Sequence, residues 1–385
     1  MPVFSLGGMR YQQSWKDLIP SDITEESQQN VVKTVEASIK VGFNHLETAR
    51  HYGSSERQLG WAISGLKDHQ RILQSKIPPR DDPEFFESEL ALSFESLGCT
   101  RIDLLAIHGI NLQEHLEQTV KPGGCMDVVR RWQKDGRIGS VGFSTHGSVD
   151  LIIKTIKTDL FDYLNLHWYY INQDNEKALR EASLRDMGVF IISPTDKGGH
   201  LHTPPQKLLE LCTPLHPIVF NDLFCLNDPR VHTLSVGAAC ATDLDLHLEA
   251  VQLLPKADQL LPRITKKLEE ASSQALGKDW VSTWQQGLPC WSETPGQINI
   301  PVLLRLHNLI ESWGMVGYAK ARYGLLGKAG HWFPGRNADC LDREVSEEAL
   351  IHSLSASPWK DQIPAVLRRL RERFNGSTQE RLSNG

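Results

Sequence analysis

Eight short apolar runs, each followed by a segment long enough for a helix, constrain this chain more than any other feature. Such alternation is typical of parallel strands that are joined by crossover helices. Its eightfold repetition predicts an α/β fold of the (β/α)8 TIM barrel type. The runs are PVFSLGG (2–8), FNHLETA (43–49), RILQSKI (71–77), IDLLAIHG (102–109), IGSVGFST (138–145), YLNLHWYY (163–170), GVFIISP (188–194) and VHTLSVGAA (231–239).

A doubly wound open sheet is the competing architecture for the same alternation. That fold would place a GxGxxG fingerprint after its first strand, where the backbone approaches a dinucleotide closely. The chain has SLGGMRY (5–11) at this point, which does not supply the fingerprint. The closed barrel is therefore the preferred prediction.

The character of the sequence changes after about residue 255. No further strand pattern is convincing, and helical patterns run over 302–326 and 363–374. We therefore expect two domains, a barrel over 1–255 and a mostly helical C-terminal extension over 256–385.

Charge and cysteine usage restrict the partners and the compartment. The formal net charge is −6, so a nucleic-acid or anionic-membrane partner is not suggested. Seven scattered cysteines suit a reducing compartment better than a disulfide framework. Neither a signal-peptide pattern at the start nor a run of 18 apolar residues is found, and we expect a cytoplasmic protein.

Four titratable side chains stand at the carboxyl ends of early strands, where the active site of a barrel lies. They are Glu47, Tyr52, Lys76 and His108. A free tyrosine has a pKa of about 10, and a nearby ammonium lowers it by favouring the phenolate. A carboxylate beside the lysine would hold it charged, and an imidazole can donate a hydrogen bond to a carbonyl oxygen. Together they describe a general acid for reducing a C=O group, with the hydride supplied from elsewhere.

The segment GFNHLETARHYGSSERQLGWAI (42–63) resembles the opening signature of the aldo/keto reductase family. RILQSKI, IDLLAIHGIN and WQKDGRIGSVGFST resemble later landmarks of that family in the same order, so the likeness covers roughly residues 1–250. It implies an enzyme, a nicotinamide-dependent oxidoreductase that acts on a small-molecule carbonyl substrate. In that reading Tyr52 is the proton donor, Lys76 lowers its pKa, His108 orients the carbonyl and Glu47 pairs with the lysine.

The chain departs from the family at position 47, where an aspartate is usual. Glutamate keeps the charge but is one methylene longer, so it must fold back to reach Lys76 or displace it by about a bond length. A misplacement of about 1 Å can change a rate by on the order of 100-fold. We therefore expect the four residue types of the site to be present, but with a spacing between Glu47 and Lys76, and hence a rate, that differ from those usual in the family.

The resemblance also implies cofactor contacts. Ser144 and Thr145 resemble the residues that hold the carboxamide, and Asn165 lies where a glutamine is usual, whereas no aromatic residue stands at 192–193 to stack on the nicotinamide. The backbone N–H groups of Gly237, Ala238 and Ala239 can bind phosphate. No arginine or lysine lies between Val231 and Pro255, and Asp243 and Asp245 would repel a phosphate, so NADH is possible as well as NADPH.

The C-terminal extension weakly resembles the ferredoxin-like domain found in a subgroup of these reductases. That domain carries runs of four cysteines, whereas only Cys290 and Cys340 remain near the corresponding places. Because cluster ligation needs four thiolates per cluster, we expect no iron–sulfur cluster.

Two other functions are compatible with the residues. His146 and His167 also lie near strand ends and could form a metal site with His108 and Glu47, as in a metal-dependent TIM-barrel hydrolase. Alternatively, the altered carboxylate and the weak phosphate grip favour a non-catalytic nicotinamide-binding or interaction protein. The sequence specifies neither the substrate nor the oligomeric state.

Overall fold

The first part of the chain forms a closed barrel of eight parallel strands. We analysed a computed structural model, and the structure describes residues 1–376. Each strand pairs with its neighbours in sequence, and β1 pairs with β8 to close the barrel. The (β/α)8 TIM barrel is thereby confirmed. The strands are β1 Phe4–Gly7, β2 His45–Glu47, β3 Ile72–Ile77, β4 Ile102–Ile107, β5 Ile138–Ser144, β6 Tyr163–Leu166, β7 Gly188–Ile192 and β8 Thr233–Gly237.

Helices lie between the strands and continue through the C-terminal extension. They are α1 Glu25–Lys40, α2 Ser55–Ile63, α3 Pro83–Leu97, α4 Gln113–Val120, α5 Cys125–Lys134, α6 Val149–Ile156, α7 Glu176–Leu184, α8 Gln206–Cys212, α9 Pro217–Leu226, α10 Asp245–Leu253, α11 Ala257–Leu276, α12 Lys278–Thr283, α13 Ile300–Trp313, α14 Val316–Leu325, α15 Glu347–Ser353 and α16 Ile363–Phe374. None of these helices combines the length and the hydropathy needed to cross a membrane within residues 1–376.

Local chemistry explains where α3 begins and ends. The Asp82 side chain accepts hydrogen bonds from the backbone N–H groups of Glu84 and Phe85, and Pro83 occupies the first turn, where no N–H is needed. Gly98 ends the helix in the left-handed conformation, with φ 58°. These signals hold the helix between two neighbouring strands of the barrel.

Each strand is shorter than the apolar run that predicted it, and two expected elements end where the apolar pattern continues. The sixth apolar run was expected to be strand over 163–170, but β6 ends at Leu166. The stretch 302–326 forms two helices instead of one, because Gly314 adopts φ 73° and terminates α13. In both cases the apolar pattern continues past the point at which the backbone turns.

Strand register brings the site together. Gly7 at the end of β1 pairs with Glu47 on one side and with Gly237 on the other, and Lys76 on β3 pairs with Ala106 on β4. Because all strands run in the same direction, their carboxyl ends meet at one rim of the barrel.

A polar chain runs through the buried barrel interior. Nε2 of His45 lies 2.8 Å from the Gln74 amide oxygen, and Nε2 of Gln74 donates to Oδ1 of Asn165 over 3.1 Å. Since an amide oxygen only accepts, His45 must carry its proton on Nε2. Burial lowers the pKa of His45 to about 4, so the ring is neutral near pH 7.

The chain forms two compact units. Within the described residues, the first comprises Met1–Gly198 and Asn221–Ala257, and the second comprises Gly199–Phe220 and 258–376. The expected division at residue 255 placed the whole of 199–220 in the barrel domain, whereas these residues group with the second unit. The expected domain boundary itself stays a prediction.

The second unit has an apolar cluster of its own. Leu303, Leu304, Tyr323 and Leu367 on α13, α14 and α16 are fully buried in it. All seven cysteines are free; Cys290 is exposed and Cys340 is buried. The expectation that this part carries no iron–sulfur cluster stays a prediction.

Candidate functional site

The four residues expected at the strand ends meet at one rim. Lys76 on β3 points its ammonium at Glu47 from β2 and at Tyr52 from the following loop. The ammonium nitrogen lies 3.4 Å from the phenolic oxygen and 4.7 Å from the centre of the Tyr52 ring. The His108 ring packs edge-on against Tyr52 at a centroid distance of 5.6 Å. Residues 61 positions apart in sequence thus share one site.

The contacts of Lys76 decide the orientation of the phenol. Its ammonium donates to Oε1 of Glu47, to the Thr48 carbonyl oxygen over 2.9 Å, and to the Tyr52 hydroxyl over 3.4 Å. A lysine has three N–H donors, so these three contacts use all of them. The Tyr52 oxygen therefore accepts from the lysine, and no residue in the described chain accepts the phenolic proton. This proton is available to a ligand.

The Glu47 carboxylate makes a second contact that the sequence did not reveal. Its Oε2 accepts a hydrogen bond from the Ser235 hydroxyl on β8, while Oε1 contacts Lys76. Glu47 is only 3% exposed, so both oxygens are satisfied inside the protein. The additional methylene therefore lets one carboxylate join β3 to β8. An inward-facing serine two residues before the end of β8 was the available signal.

Burial sets the protonation of these groups. It raises the pKa of Tyr52 above its ordinary value, although the sequence had led us to expect that Lys76 would lower it. Burial, together with the charge of Lys197, lowers the pKa of Lys76. Burial also lowers the pKa of His108, with smaller contributions from Lys76, His51 and Lys197. At neutral pH the phenol and the imidazole are therefore both uncharged, and both can donate a proton in a hydrogen bond.

The side chains expected to hold a carboxamide lie at the ends of β5 and β6. The Ser144 hydroxyl accepts from the Gly109 N–H over 3.0 Å, which leaves its own proton to donate. The Thr145 hydroxyl donates to Ile110 and accepts from Gly147, so both of its functions are in use. Asn165 is fully buried, and its Nδ2 has no hydrogen-bond partner. This orphaned donor fits an amide oxygen on a ligand.

The loop after β8 is already engaged within the chain. The Ala239 N–H donates to Oδ2 of Asp243 over 2.8 Å, and the Gly237 carbonyl accepts from Nη1 of Arg10 over 3.2 Å. Ala238 is buried at 1% exposure. This loop therefore fits a phosphate less readily than its glycine and alanines suggested. Arg10 was missed because its proximity to β8 depends on closure of the barrel.

The histidines considered as metal ligands meet each other but not the carboxylate. Nδ1 of His146 lies 2.8 Å from Nε2 of His167, and the ammonium of Lys197 lies 3.4 Å from the same nitrogen. Glu47 contacts Lys76 and Ser235 instead. Within residues 1–376, no group of three or more His, Cys, Asp or Glu is arranged to hold a metal ion. A metal-dependent hydrolase therefore has no ligand set in the described chain.

Sequence comparisons agree with the early motifs. The family model described as the Aldo/keto reductase family matches residues 4–200. Aldo-keto reductase str7 of Strobilurus tenacellus is 26% identical over 190 residues, which is 47% of this chain and 54% of that protein. An aldo-keto reductase of Mycolicibacterium smegmatis is 29% identical over 170 residues, which is 42% of this chain and 56% of that protein. The chain thus spans about half the length of these two relatives.

Solved structures resemble the barrel. An aldo-keto reductase of Bacillus halodurans, in its holo form, superposes with a TM-score of 0.57 at 17% identity and covers 69% of this chain and 91% of its own. An aldo-keto reductase of Klebsiella pneumoniae, in complex with NADPH, gives 0.53 at 16% identity and covers 68% and 91%. At such identities the likeness shows the fold alone.

Proposed function

Because this chain belongs to the aldo/keto reductase family, we propose that it is an NAD(P)H-dependent oxidoreductase that reduces an aldehyde or ketone. The observation that carries the proposal is the contact of Lys76 with Tyr52, which directs a lysine N–H at the phenolic oxygen and leaves the phenolic proton undonated. A site that binds a carbonyl without reacting with it does not need a buried phenol beside a buried ammonium. The substrate of the proposed enzyme is a small-molecule carbonyl compound.

In this proposal Tyr52 is the proton donor. Its raised pKa keeps the phenol protonated until the carbonyl oxygen gains negative charge. The phenolate that remains accepts a hydrogen bond from Lys76, which stabilises it. Glu47 favours the charged form of Lys76, and Ser235 positions Glu47.

His108 orients the substrate. It is neutral because burial lowers its pKa, and its ring lies against Tyr52. A neutral imidazole donates one N–H, and here it would bind the carbonyl oxygen beside the phenol.

The cofactor would lie across the ends of β5, β6 and β8. Ser144 and Asn165 would hold the carboxamide, with the orphaned Nδ2 of Asn165 as the clearest support, while the Thr145 hydroxyl is already bonded to Ile110 and Gly147. Gly237, Ala238 and Ala239 would lie at the phosphates. When bound, a reduced nicotinamide supplies the hydride. The Klebsiella pneumoniae structure with NADPH supports this assignment by analogy of fold.

Replacement of Tyr52 tests the proposal. Tyr52→Phe removes the proton donor but keeps the ring, so we expect NADPH and NADH to bind as they do to the wild type while turnover of aldehydes and ketones falls by at least 100-fold. Binding is followed by fluorescence titration and turnover by nicotinamide absorbance. Tyr163→Phe, which removes a buried phenol elsewhere in the barrel, is the matched control.

The outcomes separate the alternatives. Unchanged turnover in Tyr52→Phe would show that another group donates the proton. Binding of a nicotinamide cofactor by the wild type, without turnover of any carbonyl compound in a broad panel, would instead support the non-catalytic binding protein.

A further inference from the structure

A buried arginine lies across the end of β8. Nη1 of Arg10, from the loop after β1, donates to the Gly237 carbonyl over 3.2 Å and lies 3.3 Å from Oδ2 of Asp243. Its Nε lies 3.9 Å from Oδ2 of Asp196, in the loop after β7. The Arg10 side chain is 4% exposed, so this cation is bound between two carboxylates inside the barrel unit.

The Asp243 carboxylate makes the contacts that an anionic ligand would make here. Its Oδ2 accepts from the Ala239 N–H over 2.8 Å and faces the Arg10 guanidinium, while Oδ1 lies 3.8 Å from the Cys240 sulfur. A backbone N–H together with a guanidinium is a typical donor set for a phosphate oxygen. The side chain is 20% exposed, so solvent and solutes reach it.

The position of the Asp243 carboxylate in the barrel also indicates a phosphate site. In TIM barrels, phosphate groups are frequently bound by the loops after the seventh and eighth strands and by a short additional helix. Here Asp196 follows β7, Ala239 follows β8, and a short 3-10 helix over Ala241–Leu244 carries Asp243. The carboxylate thus occupies the place where such barrels hold a phosphate.

We propose that Asp243 is an internal anion that fills the phosphate position formed by Arg10 and the Ala239 N–H, and that a dinucleotide phosphate must displace it to bind there. This rests on the proposed nicotinamide-dependent function. No arginine or lysine lies between 231 and 255, but Arg10 supplies a cation at the same place. The Asp243 carboxylate neutralises that cation. Cofactor affinity is then set by competition between a carboxylate and a phosphate for one guanidinium.

Asp243→Asn tests the competition. The amide keeps an oxygen to accept the Ala239 N–H but loses the negative charge, so Arg10 faces one carboxylate, Asp196, instead of two and binds a phosphate more strongly. We expect NADPH to bind on the order of tenfold more tightly in fluorescence titrations at low salt. Asp245→Asn, an exposed replacement two residues away with the same change in net charge, should raise the affinity much less, because solvent screens an exposed charge.

Arg10→Gln in the Asp243→Asn background completes the test. We expect the double variant to lose the gain in NADPH affinity, because the cation that the phosphate would bind is gone. A gain that persists without Arg10, or an equal gain in Asp245→Asn, would show a general charge effect and overturn the proposal. Thermal denaturation of each variant checks that the protein is folded.

NADH and inorganic pyrophosphate distinguish this proposal from the proposed function. Equal gains for NADH and NADPH place Asp243 at the pyrophosphate, and a gain for NADPH alone places it at the additional phosphate. If no nicotinamide dinucleotide binds any variant while Asp243→Asn gains pyrophosphate affinity, the reductase assignment fails and the internal anion stands. If Asp243→Asn gains affinity for none of the three, the internal anion is wrong, and wild-type cofactor binding still decides the function.

Discussion

At position 47 the length of the side chain determines how many strands one carboxylate can join. Glutamate contacts Lys76 on β3 and Ser235 on β8, and both contacts are buried. Glutamate at this position therefore does more than an aspartate could. One carboxylate oxygen holds Lys76 while the other is held by Ser235.

Replacement of Glu47 by aspartate tests this anchoring. The shorter side chain cannot span both partners, so we expect Glu47→Asp to lower kcat by roughly 10- to 100-fold. Ser235→Ala should lower it less, because the contact between Glu47 and Lys76 remains. The double variant should be no worse than Glu47→Asp alone. Losses that multiply in steady-state kinetics would show that Ser235 acts independently of Glu47.

The sequence predicted Tyr52, Lys76 and His108 at the rim because each lies at the end of a recognisable strand or in the loop that follows it. It did not predict Ser235 or Arg10, whose partners lie 188 and 233 residues away. These contacts exist only because β8 closes onto β1. The expected lowering of the Tyr52 pKa was wrong, because burial of the phenol raises it. The depth of burial depends on the folded loops and not on the residue types.

At the scale of elements, the close approach of α2 to α3 depends on a missing side chain. A Cβ built on Gly60 of α2 would lie 2.4 Å from the Ser96 carbonyl oxygen and 2.9 Å from the Leu97 backbone. Both contacts are with backbone at the end of α3, so no side chain can rotate away. The helix that follows Tyr52 is therefore held in place by a glycine.

Gly60→Ala should thus destabilise the barrel by about 1–3 kcal/mol, since backbone must shift to admit a methyl group. Gly65, just beyond α2, has nothing within 4 Å of an added Cβ and is the matched control. Gly65→Ala should be neutral or slightly stabilising. Urea denaturation of the two variants measures the difference, and equal midpoints would contradict the packing argument.

All eight strands were predictable because each apolar run is short and bounded by turn residues. The end of β6 and the division between α13 and α14 were not, since in both places apolar residues continue beyond the regular backbone. Periodicity records which residues are buried, and buried residues need not belong to a strand or a helix.

For the molecule as a whole, a neutral histidine inside the barrel couples folding to acid. The His45 pKa is about 4 in the folded state, against about 6.5 when the chain is unfolded. Between these values the unfolded chain binds a proton that the folded barrel does not. Stability contributed by the neutral ring is therefore complete above pH 6.5 and falls as pH decreases towards 4, by about 3 kcal/mol.

Replacement of His45 should flatten this dependence. In His45→Asn, we expect the free energy of unfolding to vary less between pH 6.5 and 4 than in the wild type, measured by urea denaturation at several pH values. His108, whose pKa is also lowered, retains part of the slope. A variant as acid-sensitive as the wild type would assign the effect to other groups.

Gly7 limits which substitutions the carboxylate site can accept, because it packs against Glu47 and Ser235. A Cβ at this position would lie 3.1 Å from the Ser235 hydroxyl and 3.4 Å from Oε2 of Glu47, in the space where those two groups meet. A side chain at position 7 would therefore disturb the contact between Glu47 and Ser235, and it would also meet the Val236 carbonyl oxygen at 3.2 Å. Descendants of this chain that restore aspartate at 47 should also lose the serine at 235, whereas the Val236 carbonyl oxygen should keep position 7 a glycine.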